Sequence, residues 1–159
     1  MKFIWPIILA LFLVSCKKEE LKSGEKRLPV ATERGRGMFA CYIGGDTYIA
    51  KKQEAIVYNE TTGYLFLENS NEDYDFRLFV YEGMFYEGVY QFDSTGEEIM
   101  QDFVPYTLSP GGMNNLTVTK LDPINKIVAG SFAMDLVNEI GTPLKVTDGR
   151  FDLEINIIE

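Results

Sequence analysis

Apolar and polar residues alternate along most of the chain after Gly37, and the C-terminal stretch RFDLEINI shows the pattern most clearly. From residue 150 to residue 157, four apolar residues alternate strictly with four polar ones. Successive side chains of a β-strand point to opposite faces, so this spacing predicts a strand with one buried face. Phe151 and the other odd-numbered residues are expected in the core, whereas Asp152 is expected on the exposed face.

Shorter stretches of the same kind predict further strands, separated by polar or glycine-containing turns. They cover residues 38–43, 47–50, 55–58, 64–67, 76–81, 88–92, 116–119 and 127–136. Residues 93–102 are expected to form a loose acidic loop, in which 97–103 can form one helical turn. Strands at this spacing predict a single all-β domain of about eight to ten antiparallel strands. The pattern leaves open whether this domain is a β-sandwich or a closed β-barrel.

The start of the chain follows a different pattern. Lys2 precedes an apolar run of 12 residues, Phe3 to Val14, and four consecutive charges follow at Lys17 to Glu20. A membrane-spanning helix needs about 20 apolar residues. A basic start, a short apolar run and a small residue before the cleavage point are typical of an export signal. Residues 1–15 are therefore predicted to be a signal peptide that is removed.

The end of this signal, Leu13-Val14-Ser15-Cys16, resembles the lipobox of bacterial lipoproteins. The resemblance implies cleavage before Cys16 and attachment of lipid to Cys16, and several acyl chains together anchor a protein stably in a membrane. Residues 16–37 are then the lipidated cysteine and a flexible charged tether, and residues 38–159 are the antiparallel β domain.

The residues after Cys16 indicate a destination in the cell. Lys18-Glu19-Glu20 resembles the export signal that sends some lipoproteins to the outer face of the outer membrane. A solvated charged linker is the alternative interpretation. The resemblance implies a lipid-anchored protein of the outer membrane that faces the cell exterior.

Charge is divided unevenly between the predicted tether and the predicted domain. Residues 17–37 hold seven basic and four acidic residues, a net charge of +3, whereas residues 38–159 hold seven basic and twenty acidic residues, a net charge of −13. Binding to nucleic acid requires a basic face that neutralises phosphates, so the acidic domain excludes nucleic acid as a partner. The lipid anchor is the predicted contact with the membrane, because an acidic domain stands off an anionic surface.

Several short stretches together resemble one family. Besides the lipobox and the charged tether, they are GMFACYIGG at 37–45, GSF at 130–132 and TDGRFD at 147–152. In these stretches the chain is similar to a group of small secreted bacterial lipoproteins that are classed as domains of unknown function. The resemblance covers nearly the whole chain and implies an all-β lipoprotein, but it implies no activity.

Residue types that carry most enzyme chemistry are missing. The chain contains no histidine, which removes the Ser-His-Asp and Cys-His arrangements and the commonest zinc ligand. Cys41, the one cysteine left once Cys16 carries lipid, lies in an apolar stretch and is expected in the core. The sequence therefore predicts no enzyme, no catalytic residue, and no metal or other cofactor.

Two further stretches have the composition of possible sites. Residues 68–75, ENSNEDYD, alternate oxygen-bearing side chains, but an EF-hand loop needs glycine and glutamate where this chain has Tyr74 and Val80. A hydrated turn is the expected structure, with calcium binding left open. Asp93-Ser94-Thr95 resembles a short bacterial O-glycosylation site, which leaves open whether Ser94 or Thr95 is modified.

Residues 81–92 contain five aromatic residues, which on a sheet either pack in the core or bind a sugar or a partner chain. Phe85 and Tyr86 are adjacent, so a strand directs them to opposite faces, and one of the pair is expected to be an exposed binding residue.

These features predict a non-catalytic, lipid-anchored envelope protein that binds an unidentified glycan, protein or other envelope component outside the cell. The alternative is a lipocalin-like β-barrel that binds a small apolar ligand, which requires a cavity of about 300 Å³ or more.

Overall fold

The computed structural model describes residues 27–50, 52–59, 64–70, 74–81, 86–91, 98–101 and 104–158. The predicted signal peptide and the predicted site residues Cys16, Lys18, Glu19, Glu20 and Phe85 lie outside these ranges, as do Ser94 and Thr95.

The described residues form twelve β-strands and no helix, which confirms the predicted all-β fold. The strands are β1 (Met38–Ile43), β2 (Asp46–Ile49), β3 (Lys52–Asn59), β4 (Tyr64–Ser70), β5 (Tyr74–Tyr81), β6 (Gly88–Gln91), β7 (Glu98–Gln101), β8 (Val104–Leu108), β9 (Asn115–Asp122), β10 (Ile127–Asn138), β11 (Pro143–Glu154) and β12 (Asn156–Ile158). In the described part of the chain, no helix is long and apolar enough to cross a membrane.

The strands follow one hydrogen-bonded path, β12-β3-β4-β5-β7-β8-β10-β11-β1-β2. Off this path, β9 pairs with β10, and β6 pairs with β9. The described pairs are antiparallel apart from β12 with β3, which is parallel. The path runs from β12 at one end to β2 at the other, and the described strands do not close into a barrel. Of the two predicted architectures, the closed barrel is therefore not the one that these strands form.

The sheet folds back on itself around an aromatic core. Four strands separate β1 from β5 along the path, yet the rings of Phe39 on β1 and Phe76 on β5 are 5.2 Å apart. Phe132 on β10 packs against both, at 4.9 Å from Phe39 and 5.8 Å from Phe76. Each fully buried ring of this size contributes about 1.5–3 kcal/mol relative to exposure, so this contact holds the two parts of the sheet together.

Residues 150–154 of the strand predicted at the C-terminus belong to β11, which lies between β10 and β1. The predicted strand is interrupted at Ile155, and residues 156–158 form β12, which pairs with β3. Phe151, Leu153 and Ile155 are buried, and Glu154 is exposed, as the alternation predicts. The prediction for Asp152 is wrong, because its side chain is 0% exposed. The face that carries Asp152 is covered by residues that precede β1, which the alternation of a single strand cannot reveal.

A bulge interrupts β11 just before this stretch. The register of β11 shifts against β10 between Phe132 and Met134, and against β1 between Ala40 and Tyr42. Asp148 has a φ of 52°. A Cβ on Gly149 would lie 2.6 Å from the ring and from the carbonyl oxygen of Phe132, so only glycine fits there. Bulges bend a strand and redirect its side chains, and this one lies at the site described below.

Two strands were not predicted. Residues 98–101, assigned to a loop or a helical turn, form β7, and residues 104–108 form β8. Ile99 of β7 pairs with Phe76 of β5 and Tyr106 of β8, and all three side chains are buried. The expectation of a helical turn is wrong because strand partners from distant parts of the chain determine this segment.

Candidate functional site: an arginine-lined depression

Residues 27–37, here called the N-terminal segment, lie against the outer face of the sheet, the face opposite the aromatic core. Leu28 is buried in this contact at 9% exposure. Arg150 of β11 donates from Nη1 to the carbonyl oxygen of Pro29 at 2.9 Å. Ala40 and Ala129, which share this outer face, are fully buried. The packed part of the chain therefore begins well before Met38, within the stretch that the sequence assigned to the tether.

Asp152 fastens the N-terminal segment to the sheet. Its carboxylate accepts hydrogen bonds from the Thr32 hydroxyl, from the Arg34 N–H at 2.9 Å and from the Gly35 N–H at 2.6 Å. A buried carboxylate needs such donors, because an unsatisfied buried charge is very costly. Two successive N–H groups converging on one anion form the type of concavity known as a nest. Both carboxylate oxygens of Asp152 therefore accept hydrogen bonds from the N-terminal segment.

The nest depends on the backbone conformation of Gly35. Its φ is 65°, in the left-handed region that favours glycine. A Cβ at this position would also lie 3.3 Å from Cγ1 of Ile127. Gly35 therefore allows the segment both to turn and to approach the sheet closely.

Between the N-terminal segment and strands β9, β10 and β11 lies an open depression of about 940 Å³. Its residues include three arginines, of which Arg34 and Arg36 belong to the segment and Arg150 belongs to β11. We call this site the arginine depression. The segment forms one wall, and the bulged part of β11 contributes to the other side through Asp148 and Gly149.

Hydroxyl and carboxyl groups complete the polar lining of the arginine depression. The hydroxyls come from Thr32, Thr119 and Ser131, and the carboxyls come from Glu33 and Asp148. Three guanidinium and two carboxylate groups give the lining a net charge of +1. The depression is therefore a mildly positive, hydrogen-bonding surface on a chain whose net charge is −9.

None of the three arginines of the depression forms an ion pair with a carboxylate of the described residues. The ion pairs among the described residues are Arg77–Glu68, Lys120–Asp122 and Lys145–Asp135, and none includes Arg34, Arg36 or Arg150. Arg150 donates to the carbonyl oxygens of Pro29 and Asp148, at 2.9 and 3.3 Å. These bonds orient its guanidinium group without neutralising it, which is the arrangement that anion binding requires.

The predicted aromatic site lies elsewhere. Tyr86 is 65% exposed, and Val89 on β6 is 70% exposed. Tyr90 is buried and holds Tyr86 in place: its hydroxyl accepts from the Tyr86 N–H at 2.8 Å and donates to the Tyr86 carbonyl oxygen. The two rings lie 5.9 Å apart. The Tyr86 side chain is thus exposed and lies outside the arginine depression, and its role as a binding residue stays a prediction.

Cys41 lies in the core, as predicted, with 0% of its surface exposed. Burial raises the pKa of its thiol far above the ordinary range, so the thiolate needed for nucleophilic chemistry is disfavoured. Burial likewise raises the pKa of Tyr48, with smaller effects from Cys41 and Asp75.

The predicted acidic turn of residues 68–75 is described only in part, because residues 71–73 lie outside the described ranges. Glu68 pairs with Arg77 at 3.1 Å, and Asn69 is 1% exposed. Within the described residues, no group of three or more Asp, Glu, Cys or His side chains is arranged to hold a metal ion.

Sequence reasoning missed the arginine depression. Arg34 and Arg36 were assigned to a flexible tether, and Arg150 to the exposed face of a strand. The one signal in the sequence is TDGRFD at residues 147–152, one of the stretches that carry the family resemblance. This stretch supplies the bulge, Arg150 and the buried Asp152 that fastens the opposite wall.

Comparison of the chain with protein families, with curated proteins and with solved structures finds no match in any of the three.

Proposed function

We propose that the protein is a non-catalytic, lipid-anchored protein of the bacterial envelope that binds an anionic component outside the cell, in the arginine depression. One observation carries this proposal: three arginines line a single open depression, and no carboxylate of the described residues pairs with them. Guanidinium groups recognise carboxylate and phosphate oxygens through paired N–H donors. Such a site is suited to a ligand that brings the missing negative charge.

The proposed location rests on the first residues of the chain. The lipobox-like LVSC supports lipid attachment at Cys16, and Lys18-Glu19-Glu20 supports transfer to the outer membrane and display towards the exterior. The absence of histidine from the sequence supports a binding role over the hydrolase arrangements that depend on it.

We also propose that the folded-over sheet is a two-layered β-sandwich, supported by the contact of Phe39 on β1 with Phe76 on β5. The lipocalin-like alternative has less support. Apolar side chains of the described strands pack against one another in one core cluster, and these strands do not close into a barrel.

The test is retention of envelope material by the full-length lipoprotein purified in detergent and coupled to beads. Outer-membrane and extracellular polysaccharide fractions are passed over the wild type and over an Arg34→Ala/Arg36→Ala double variant. A Lys126→Ala/Lys145→Ala variant removes the same charge outside the arginine depression and serves as the control. Tyr86→Ala tests the predicted aromatic site in the same assay.

We expect the wild type and the lysine control to retain the same component and the arginine double variant to lose it. Equal retention by the arginine variant would rule out the depression as the binding site. Loss in Tyr86→Ala alone would move the site to Tyr86, and turnover of the retained component by purified protein would contradict the non-catalytic assignment.

A further inference from the structure

We propose that the ligand of the arginine depression is an acidic polysaccharide, recognised through sugar residues that carry both a carboxylate and several hydroxyl groups. This inference rests on the proposed function and names the chemical class of its ligand.

The arginines account for the carboxylate. Arg150 uses two of its five N–H donors on the carbonyl oxygens of Pro29 and Asp148, so three donors remain for a ligand. The backbone of Arg34 is held by its N–H, which donates to the buried Asp152, so the position from which its side chain extends is fixed. A site whose donors are oriented before the ligand arrives loses less entropy on binding.

The remaining lining accounts for the hydroxyl groups. Ser131 offers a hydroxyl that both donates and accepts hydrogen bonds. Thr32 and Thr119 already donate to Asp152 and to the Ala129 carbonyl oxygen, so their hydroxyls offer acceptors, as do Glu33 and Asp148. Carboxylates in an anion site repel further negative charge, but they bind well to ligand groups that donate. A ligand rich in hydroxyl groups supplies such donors, whereas a polyphosphate does not.

Charge and size disfavour the other anions. A net lining charge of +1 balances a ligand with sparse negative charge, and it is too small for the densely charged backbone of a nucleic acid. The volume of about 940 Å³ is at the upper end of the range for small-molecule sites, which is more than a single inorganic anion fills.

The composition of the wall also disfavours apolar ligands and peptides that bind through apolar side chains. The apolar contribution to the described lining comes from Ala31, Gly130 and Gly149, with no aromatic ring and no large aliphatic side chain. Peptide recognition through apolar pockets has no counterpart in this lining. The lining instead favours recognition by hydrogen bonds and charge.

The test is calorimetric titration of the full-length lipoprotein in detergent with three probes, namely oligomers of galacturonic acid, oligomers of mannuronic acid and a sialylated oligosaccharide. The methyl ester of each probe is the matched ligand without charge. Arg34→Lys and Arg36→Lys keep the charge but lose the planar pair of donors, and Arg77→Lys makes the same change beside Glu68, outside the arginine depression. Polyphosphate and a single-stranded DNA oligonucleotide are the competing polyanions.

We expect at least one acidic sugar to bind, its methyl ester to bind about tenfold more weakly or worse, and the affinity to fall with added salt. Arg34→Lys and Arg36→Lys should weaken binding, and Arg77→Lys should not. Equal binding of the ester, tighter binding of polyphosphate or DNA, or binding of none of the three sugars would overturn the inference. If retention of envelope material still depends on Arg34 and Arg36 in that case, only the ligand class is wrong; if it does not, the proposed function fails as well.

Discussion

At the scale of single residues, the side chain of Asp152 holds the N-terminal segment in place. Its carboxylate is fully buried and bonds with Thr32, Arg34 and Gly35, which lie on the wall of the arginine depression or next to it. Asp152 therefore positions the wall of the arginine depression. Its hydrogen bonds are with the backbone of Arg34 and Gly35 and the hydroxyl of Thr32.

Asp152→Asn should lower the free energy of unfolding by about 2–4 kcal/mol. The amide replaces one carboxylate oxygen with an NH₂ group, which faces donors and leaves at least one of them unsatisfied in a buried place. Urea denaturation of the wild type and the variant measures the change. Glu154→Gln removes the same charge at an exposed position two residues further along β11 and should change stability by less than about 0.5 kcal/mol. Equal losses in both variants would contradict the role of Asp152.

Cys41 and Tyr48 should make the fold sensitive to alkaline pH. Burial raises the pKa of both groups in the folded state. In the unfolded chain, the pKa values of cysteine and tyrosine are about 8.5 and 10. The neutral groups therefore contribute stability that is fully present below about pH 8.5 and is lost as pH rises towards the raised folded pKa values.

The free energy of unfolding should thus fall above about pH 8.5, by about 1.4 kcal/mol per pH unit for each group that ionises only on unfolding. Urea denaturation between about pH 7 and 11 measures this decline. In Cys41→Ala the cysteine contribution is absent, so the decline should begin nearer to about pH 10, where tyrosine ionises. The same onset in wild type and variant would show that burial of Cys41 does not produce the effect.

At the scale of elements, strands bounded by local signals were predictable. The predicted strand at residues 38–43 matches β1, and the Gly44-Gly45 turn joins it to β2 through two residues with positive φ. Alternation and turn residues are properties of neighbouring positions, so a sequence window contains all the information needed.

Elements determined by distant partners were not predictable in this way. β8 contains Pro105, which lowers the strand tendency of its sequence, yet it pairs with β7 on one side and β10 on the other. The N-terminal segment has the charged composition of a linker, but Arg34 meets Asp152 at a separation of 118 positions. For the same reason, the arginine depression combines residues from two ends of the chain that no local pattern connects.

At the scale of the whole molecule, the described residues nearest the predicted lipid anchor, 27–37, carry a net positive charge. The segment that precedes β1 carries Arg34 and Arg36, while residues 38–159 carry a net charge of −13. Acidic surface keeps the domain away from an anionic membrane. The proposed binding site therefore lies on the part of the domain that leads to the predicted anchor. The location of the protein in the envelope determines which ligands it can bind.

We expect wild-type protein to fractionate with the outer membrane and to be digested when intact cells are treated with protease. Cys16→Ser removes the thiol that lipid attachment requires, so the protein should remain as uncleaved precursor or be released from the membrane. Replacing Lys18, Glu19 and Glu20 by alanine leaves Cys16 in place, and this variant should stay in the membrane but be protected from the protease. Immunoblots of the fractions, with and without protease, measure both properties.

Mass spectrometry of the membrane fraction provides the decisive control, because it reads the modification of Cys16 directly. An unmodified Cys16 in that fraction would refute lipid anchoring, since several acyl chains are what makes such an anchor stable. Equal digestion of the wild type and the triple-alanine variant would mean that Lys18-Glu19-Glu20 is a solvated linker and that display depends on other residues. Protection of both would place the arginine depression inside the envelope, so that its ligand would have to be sought among periplasmic components.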